Sequence, residues 1–163
     1  MEMTGLNVDR EAPIEIAAIV TDINLKEIET FHAIIRQPQA LLDLMDDWNT
    51  EHHGQSGLTA QVPHGTPAEA VEKAMMALVD RHFMGERAVI AGNSIGQDRL
   101  FINKYFPLLN VKLHYRMLDV TSWKIMMNAR FSLKFEKNNT HRAIDDIRES
   151  IAEMAFYLAH IKV

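Results

Sequence analysis

Four residues of this 163-residue chain have side chains suited to phosphodiester hydrolysis, namely Glu2, Asp98, His141 and Asp146. Carboxylates can hold two divalent metal ions about 4 Å apart, and such ions stabilise charge on the attacking and leaving oxygens. A histidine that titrates near neutral pH can take the proton from the attacking water. The alternative interpretation of these four residues is structural, with the histidine as a helix cap and the carboxylates as partners of helix dipoles. Spacing alone leaves both interpretations open.

The elements that must position these residues are visible in the pattern. A last helix is predicted from about Thr140 to about His160, which puts His141 and Asp146 in its first two turns. Its buried side is predicted from an apolar stripe at three- and four-residue steps. The stripe consists of Ile144, Ile147, Ile151, Ala155 and Leu158. Asp98 follows a glycine turn and begins another predicted helix, which runs to Phe106.

The first half of the chain predicts an antiparallel hairpin of Ile14–Val20 and Ile28–Ile35, then a short helix over Leu41–Trp48. The next helix is predicted with Thr66 as its N-cap and Pro67 at its first position, running to about Met84 and stopping at Gly85. Its predicted buried residues are Val71, Met75, Leu78 and Val79.

Two short strands are predicted in the second half, at Ala88–Ala91 and Met117–Val120, with a helix from Thr121. Strands that precede helices indicate an α/β class with a mixed central sheet flanked by helices. The absence of repeats and linkers predicts one domain over residues 1–163.

The amino-acid composition limits which metal ions, nucleic acids and membranes the chain is expected to bind. With no cysteine, any metal must bind carboxylates, imidazoles or carbonyls, which favours Mg²⁺ or Mn²⁺. The net charge of −5 argues against a protein that coats long duplex nucleic acid. No apolar run approaches the roughly 20 residues of a membrane span, and no signal peptide is visible. We therefore expect a cytoplasmic protein without a membrane partner.

Five blocks of sequence, in order over nearly the whole chain, resemble the oligoribonucleases, which are DEDD-superfamily exonucleases of the histidine-base branch. The blocks are Glu2–Leu6, Leu44–Asn49, Gly92–Arg99, His114–Arg116 with Leu118–Val120, and Thr140–Ser150. The resemblance implies a ribonuclease-H-like fold and a 3′→5′ exonuclease that degrades very short RNA, down to dinucleotides. It also implies a homodimer.

Block by block, the resemblance implies a role for each matching residue. Glu2, Asp98 and Asp146 would hold two Mg²⁺ or Mn²⁺ ions, and His141 would be the general base. Tyr115 would complete the site of the partner subunit. Leu6 would wedge against the bases of the dinucleotide. The 5′ phosphate would be capped by Ser94, Arg116 and Thr121.

One departure concerns the first block, which in the family reads Asp-x-Glu. Here Glu2 is preceded only by Met1, so that Asp and the apolar strand leading into it have no position in the sequence. One explanation is a wrongly chosen start codon, which the otherwise intact motifs favour. The alternative is a truncated, catalytically impaired homologue that binds short RNA. Without that Asp, the chain is expected to be weakly active or inactive.

Two rival interpretations remain. Gly92–Gly96 also fits a Gly-x-Ser-x-Gly nucleophile elbow, with Asp119 and His141 following in hydrolase order. That pattern is short, the chain is small for such a fold, and Glu2 and Asp146 are left unexplained. The second rival is a non-catalytic dimer that binds short RNA or dinucleotides and needs no metal.

Overall fold

The computed structural model describes residues 1–136 and 142–161. The predicted hairpin is confirmed, because β2 (Pro13–Thr21) and β3 (Glu27–Ile34) pair antiparallel. The two-residue strand β1 (Glu2–Met3) pairs antiparallel with the other edge of β2, so that Glu2 lies opposite Glu15. This three-stranded sheet thus places the first predicted site residue beside the centre of the sheet.

The segment after β3 differs from its prediction. Three short helices follow, α1 (Gln39–Leu42), α2 (Asp47–Gln55) and α3 (Leu58–Gln61), and then a 3₁₀ turn (Val62–His64). The single helix predicted over Leu41–Trp48 is therefore wrong. Asp46 is extended, and its side chain accepts a 2.8 Å hydrogen bond from the N–H of Asn49, so a new helix begins there.

Helix α4 (Ala68–Phe83) has the predicted buried residues, but its predicted N-cap is wrong. The N–H of Thr66 donates to the carbonyl of Ile34 at 2.8 Å, so Thr66 extends the edge of the sheet and Pro67 is the N-cap residue. The last helical residue is Phe83, and the C-cap Met84 adopts a left-handed backbone with φ 45°, so the helix stops within one residue of its predicted end near Met84.

A second, parallel sheet consists of β4 (Ala91–Gly92) and β5 (Leu118–Asp119). The helices around it are α5 (Ile95–Tyr105), α6 (Pro107–Lys112) and α7 (Val120–Phe131). The strand predicted over Ala88–Ala91 is shorter and later than expected, since Ala88 makes only an isolated bridge with Leu113. Among the described residues, the strands thus form two sheets.

The last helix, α8 (Ala143–Ala159), packs on β2. The predicted start near Thr140 is wrong, because Arg142 is extended and the helix begins after it. The predicted stripe is also wrong, since its isoleucines are only half-buried and Ala155 and Leu158 are exposed. The buried face consists of Ala143, Ser150, Glu153, Met154 and Tyr157. Its polar members are buried because they form hydrogen bonds, which an apolar pattern cannot reveal.

The larger core cluster lies between the antiparallel sheet and helices α4, α5 and α6. Its fully buried side chains include Ile35, Phe106 and Leu109. These helices flank the sheet, which confirms the predicted α/β class. No helix within the described ranges has the length and apolar character needed to cross a membrane.

Candidate active site

Three of the predicted site residues act on one point, the α-amino nitrogen of Met1. That nitrogen lies 3.1 Å from Oδ1 of Asp98. Burial by itself would lower the pKa of the amino group, but the negative charges of Asp98, Glu2 and Asp146 outweigh burial and raise it. Carboxylates from β1, α5 and α8 therefore stabilise positive charge at one buried position.

The pKa of the Glu2 carboxyl group is shifted by burial and by the same neighbouring charges. Burial raises its pKa to about 7, the Met1 amino group opposes this rise, and the charge of Asp146 adds to it. A bound divalent cation would favour the ionised carboxylate and lower this pKa, because the ion is the largest local charge in such a site.

The chemistry of these donors fits a hard divalent metal, which binds carboxylate oxygens. The observation that supports the fit is the mutual repulsion of these groups, since, in addition to burial, the negative charges of Asp146 and Asp98 both raise the pKa of Glu2, as expected for carboxylates gathered at one position. Within residues 1–136 and 142–161, however, no three acidic or histidine side chains lie close enough together to hold one ion. The assignment of Glu2, Asp98 and Asp146 as metal ligands stays a prediction.

His141, the predicted general base, lies outside the described residues, whereas the two residues after it are firmly held. Buried Glu15 accepts hydrogen bonds at Oε1 from Nε and Nη2 of Arg142, at 3.0 and 2.7 Å. Its Oε2 accepts from the N–H of Ala143 at 2.9 Å, and Nε2 of His32 lies 2.7 Å from Oε1. Burial alone would raise the pKa of Glu15, but these hydrogen bonds outweigh it and hold the pKa below its ordinary value.

The structure brings two of the predicted phosphate-binding residues into contact. The hydroxyl oxygens of Ser94 and Thr121 lie 3.3 Å apart, and the N–H of Ser94 donates to Oγ1 of Thr121 at 2.9 Å. Oδ1 of Asp119 accepts hydrogen bonds from the N–H groups of both residues, at 3.0 and 2.9 Å. Two hydroxyls are thereby presented together at the end of the parallel strands.

Leu6 is 72% exposed, on a loop that is tied to α5. Its carbonyl oxygen accepts a 2.6 Å hydrogen bond from the side-chain amide of Gln97, the residue before Asp98. The hydroxyl of Tyr105 donates to the carbonyl of Glu11 at 2.6 Å, farther along the same loop. An exposed leucine side chain is thus held beside the helix that carries Asp98.

Tyr115 and Arg116 lie on the exposed segment that leads into β5. The ring of Tyr115 is 69% exposed and stacks on His114 with 4.6 Å between the ring centroids. The guanidinium carbon of Arg116 lies 5.3 Å from the centroid of the Tyr115 ring, which is cation–π range. Tyr115 and Arg116 therefore form one contacting pair, and Ser94 and Thr121 form another.

Three residues that bind segments of the candidate site are absent from the sequence-based set, namely Glu15, Asp119 and Glu153, the last of which accepts a hydrogen bond from the side chain of Asn93, beside Ser94. A signal existed for Glu15, a lone charged residue in an apolar strand, since a buried carboxylate needs partners. Asp119 was weighed only as a hydrolase residue, whereas its carboxylate caps α7. Glu153 gave no such signal, because charged residues in a helix are usually solvated.

Comparison with known proteins agrees with this architecture. The model of the family described as "RNase_T: Exonuclease" matches residues 1–154, which include all three carboxylates and both sheets. The class that fold and site define is therefore that of the exonucleases, and the predicted ribonuclease-H-like exonuclease fold is confirmed.

Curated relatives named oligoribonuclease match almost the whole chain. The relative from Pseudomonas aeruginosa is 45% identical over 98% of this chain and 92% of its own length. The relative from Pectobacterium atrosepticum is 43% identical over 96% of this chain and 90% of its own length. The corresponding protein of Francisella tularensis is 44% identical, with the same two coverages. The chain therefore belongs to the oligoribonucleases, hydrolytic exoribonucleases within the exonuclease family.

Proposed function

We propose that this protein removes mononucleotides from the 3′ end of very short RNA, down to dinucleotides. The observation that carries the proposal is the gathering of three carboxylates, from β1, α5 and α8, around one position, where, in addition to burial, the negative charges of Asp146 and Asp98 both raise the pKa of Glu2. Such a position suits the divalent cations with which nucleases hydrolyse phosphodiesters. The acidic chain fits this role, because gripping one or two phosphates through metal ions needs carboxylates rather than a basic surface.

Glu2, Asp98 and Asp146 would hold two Mg²⁺ or Mn²⁺ ions. When bound, these ions stabilise the charge that develops on the phosphate, the attacking oxygen and the leaving oxygen. His141 is the general base and takes the proton from the attacking water. Glu15 supports this arrangement, since it fixes Arg142 and Ala143, which follow His141 directly in the chain.

The far end of the substrate is held away from the carboxylates. Ser94 and Thr121 donate their hydroxyl hydrogens to the 5′ phosphate, and Arg116 supplies positive charge. Exposed Leu6 packs against the bases. A phosphate cap at one end and the reacting phosphate at the other leave room for a short substrate, which explains the preference for the shortest RNA.

The protein acts as a cytoplasmic homodimer. The apolar side chains that α7 exposes support this, because Ile125 is 65% and Phe131 55% exposed, and such a surface favours association. Exposed Tyr115 is free to enter the site of the partner subunit. Association through a twofold axis would give each site one tyrosine from the other chain.

The experiment that tests the proposed function follows mononucleotide release from a 5′-labelled diribonucleotide in Mn²⁺, with and without chelator. The matched control is His141→Ala. With an aspartate added directly ahead of Met1 in both proteins, we expect release that the chelator abolishes, and a His141→Ala variant slower by at least about a hundredfold, in line with the loss of a general base. Equal rates for the two proteins would refute the assignment of His141.

The same assay separates the rival functions. Activity that survives chelation, together with labelling of Ser94 by a serine-directed phosphonate, would identify the hydrolase. Diribonucleotide binding without turnover, even after an aspartate is added directly ahead of Met1, would identify the non-catalytic binding protein.

Mixing two inactive variants tests the tyrosine from the partner subunit. Tyr115→Ala and His141→Ala subunits should each be inactive as homodimers. In a mixed dimer, one of the two sites keeps both residues, so the mixture should recover about a quarter of the wild-type activity. No recovery in proven mixed dimers would place Tyr115 in the site of its own chain.

A further inference from the structure

A buried bridge of hydrogen bonds joins the middle of α8 to the turn before α5. Glu153 is fully buried, and its Oε2 accepts a 3.0 Å hydrogen bond from the side-chain amide of Asn93. Its Oε1 accepts from the hydroxyl of Tyr157 at 2.9 Å. The amide oxygen of Asn93 accepts from the hydroxyl of Ser150 at 2.5 Å. Both ends of the Asn93 side chain are therefore bound to α8.

The two ends of this bridge lie next to two different parts of the candidate site. Asn93 directly precedes Ser94, one of the two contacting hydroxyl residues. The hydroxyl of Ser150 also lies 2.8 Å from the carbonyl oxygen of Asp146, a candidate metal ligand. The bridge thus spans from the hydroxyl pair to the acidic first turn of α8.

The backbone of Ser94 makes such support necessary. Ser94 has φ 50°, in the left-handed region that residues with a Cβ rarely adopt. A strained conformation of this kind persists only where its surroundings hold it. The hydrogen bonds of the Asn93 side chain fix the residue before Ser94, and Oδ1 of Asp119 accepts a hydrogen bond from the N–H of Ser94.

We propose that Asn93, Glu153 and Ser150 are positioning residues that set Ser94 at the distance from Asp146 at which a 5′-phosphorylated dinucleotide fits. This inference rests on the proposed function. Neither Glu153 nor Asn93 touches substrate. They act through Ser94, so loosening the bridge lowers the preference for a 5′ phosphate over a 5′ hydroxyl and leaves the metal-binding carboxylates in place.

The chemistry of the bridge provides a test by exchange. Asn93→Asp alone puts a carboxylate where an amide donated to Glu153, so two acceptors face each other. Glu153→Gln alone leaves one oxygen to accept from two donors. Combined, the two changes reverse donor and acceptor, because the new amide at position 153 donates to the new carboxylate at position 93. Every hydrogen bond of the bridge is then possible again.

The experiment measures kcat/KM for a diribonucleotide with a 5′ phosphate and for the same molecule with a 5′ hydroxyl. Wild type should prefer the phosphorylated form. Each single variant should lose about tenfold of that preference, mainly through KM, as expected for about one hydrogen bond. The double variant should return to within about threefold of wild type. Ser150→Ala changes no buried charge and should also lower the preference for the 5′ phosphate. It therefore serves as the test if a variant at position 93 or 153 fails to fold.

A matched control separates positioning from general loss of stability. Glu72 is another buried glutamate, and it accepts hydrogen bonds from the N–H groups of Leu108 and Leu109 at the start of α6. Glu72→Gln should lower stability and leave the 5′-phosphate preference unchanged. An equal loss of preference in this control, unchanged preference in Ser150→Ala, or a double variant no better than the single ones would overturn the inference. A wild type without any preference would instead refute the phosphate site itself, and with it this inference.

Discussion

Helix α8 is held at its start and at its middle by two buried glutamates, one with a charged partner and the other with neutral partners. At the start, Glu15 of β2 binds the guanidinium of Arg142, so a negative charge meets a positive one. At the middle, Glu153 of the helix binds the amide of Asn93 and the hydroxyl of Tyr157. The first contact joins α8 to the antiparallel sheet, and the second joins it to the turn between β4 and α5.

The ion pair of Glu15 and the neutral hydrogen bonds of Glu153 suit different parts of the candidate site. A buried ion pair is strong once formed, but the loss of one partner leaves an uncompensated charge. It therefore suits the start of α8, which carries the proposed metal ligand Asp146. Hydrogen bonds between an amide, a hydroxyl and a carboxylate depend on the orientation of each group. They suit the turn of Asn93 and Ser94, whose conformation we propose selects the substrate.

The largest effect on stability should come from Glu15→Ala. The change leaves Arg142, which is 26% exposed, and the N–H of Ala143 without their shared acceptor. We expect the free energy of unfolding to fall by about 3–5 kcal/mol, which is typical when one partner of a buried ion pair is removed. Urea denaturation followed by circular dichroism measures this change. A loss below about 1 kcal/mol would show that the anchor at the start of α8 is not an effective ion pair.

The ionic anchor should also depend on pH. The pKa of Glu15 lies below its ordinary value of 4.5, so folding favours the ionised form. Its contribution is therefore complete above the ordinary pKa and is lost as the pH falls through the lowered one. The difference in unfolding free energy between wild type and Glu15→Gln should shrink on acidification. A difference that grows toward low pH would contradict the direction of this pKa shift.

Asp119→Ala should have an intermediate effect, because it removes the N-cap of α7 and the acceptor for the N–H of Ser94. We expect a loss of about 1–2 kcal/mol of stability, which is usual for an N-cap. The preference for a 5′ phosphate should fall as well. Thermal denaturation and the ratio of the two kcat/KM values measure the two effects, and an unchanged ratio would show that Ser94 needs no support from Asp119.

The smallest effect should come from Arg148→Ala, at a third contact of α8. Arg148 pairs with Glu27 of β3 at 3.3 Å, and the two side chains are 50% and 41% exposed. Exposed ion pairs contribute little because water and salt screen them, so the unfolding free energy should change by less than about 0.5 kcal/mol. A loss as large as that of Glu15→Ala would remove the distinction between buried and exposed anchors.

Much of this molecule follows from local sequence, and the exceptions share a physical cause. The hairpin and the buried face of α4 were predicted because apolar periodicity reports burial directly. The buried face of α8 was not, because Ser150 and Glu153 are buried through hydrogen bonds to a distant turn. Thr66 has the sequence of an N-cap, yet pairing with Ile34 directs its backbone into the sheet. Local preference is overridden wherever a partner from another element supplies the hydrogen bond.

The site follows the same division. Motif resemblance selected Glu2, Asp98 and Asp146, and the structure adds that, in addition to burial, the charges of Asp146 and Asp98 both raise the pKa of Glu2. Motif resemblance did not select Glu15 or Glu153, since their roles consist of contacts across the fold rather than a local pattern.

The most direct test of the central claim is diribonucleotide hydrolysis during a Mn²⁺ titration, with wild type beside Asp98→Asn. The substitution keeps the size of the side chain and removes the negative charge that a divalent ion needs. Both proteins carry an aspartate added directly ahead of Met1. We predict that the protein with Asp98 releases mononucleotides only when metal is present, and that the Asp98→Asn variant is slower by about a hundredfold or more at saturating metal. Equal rates for the two proteins, or full activity without metal, would contradict a metal-dependent site built on these carboxylates.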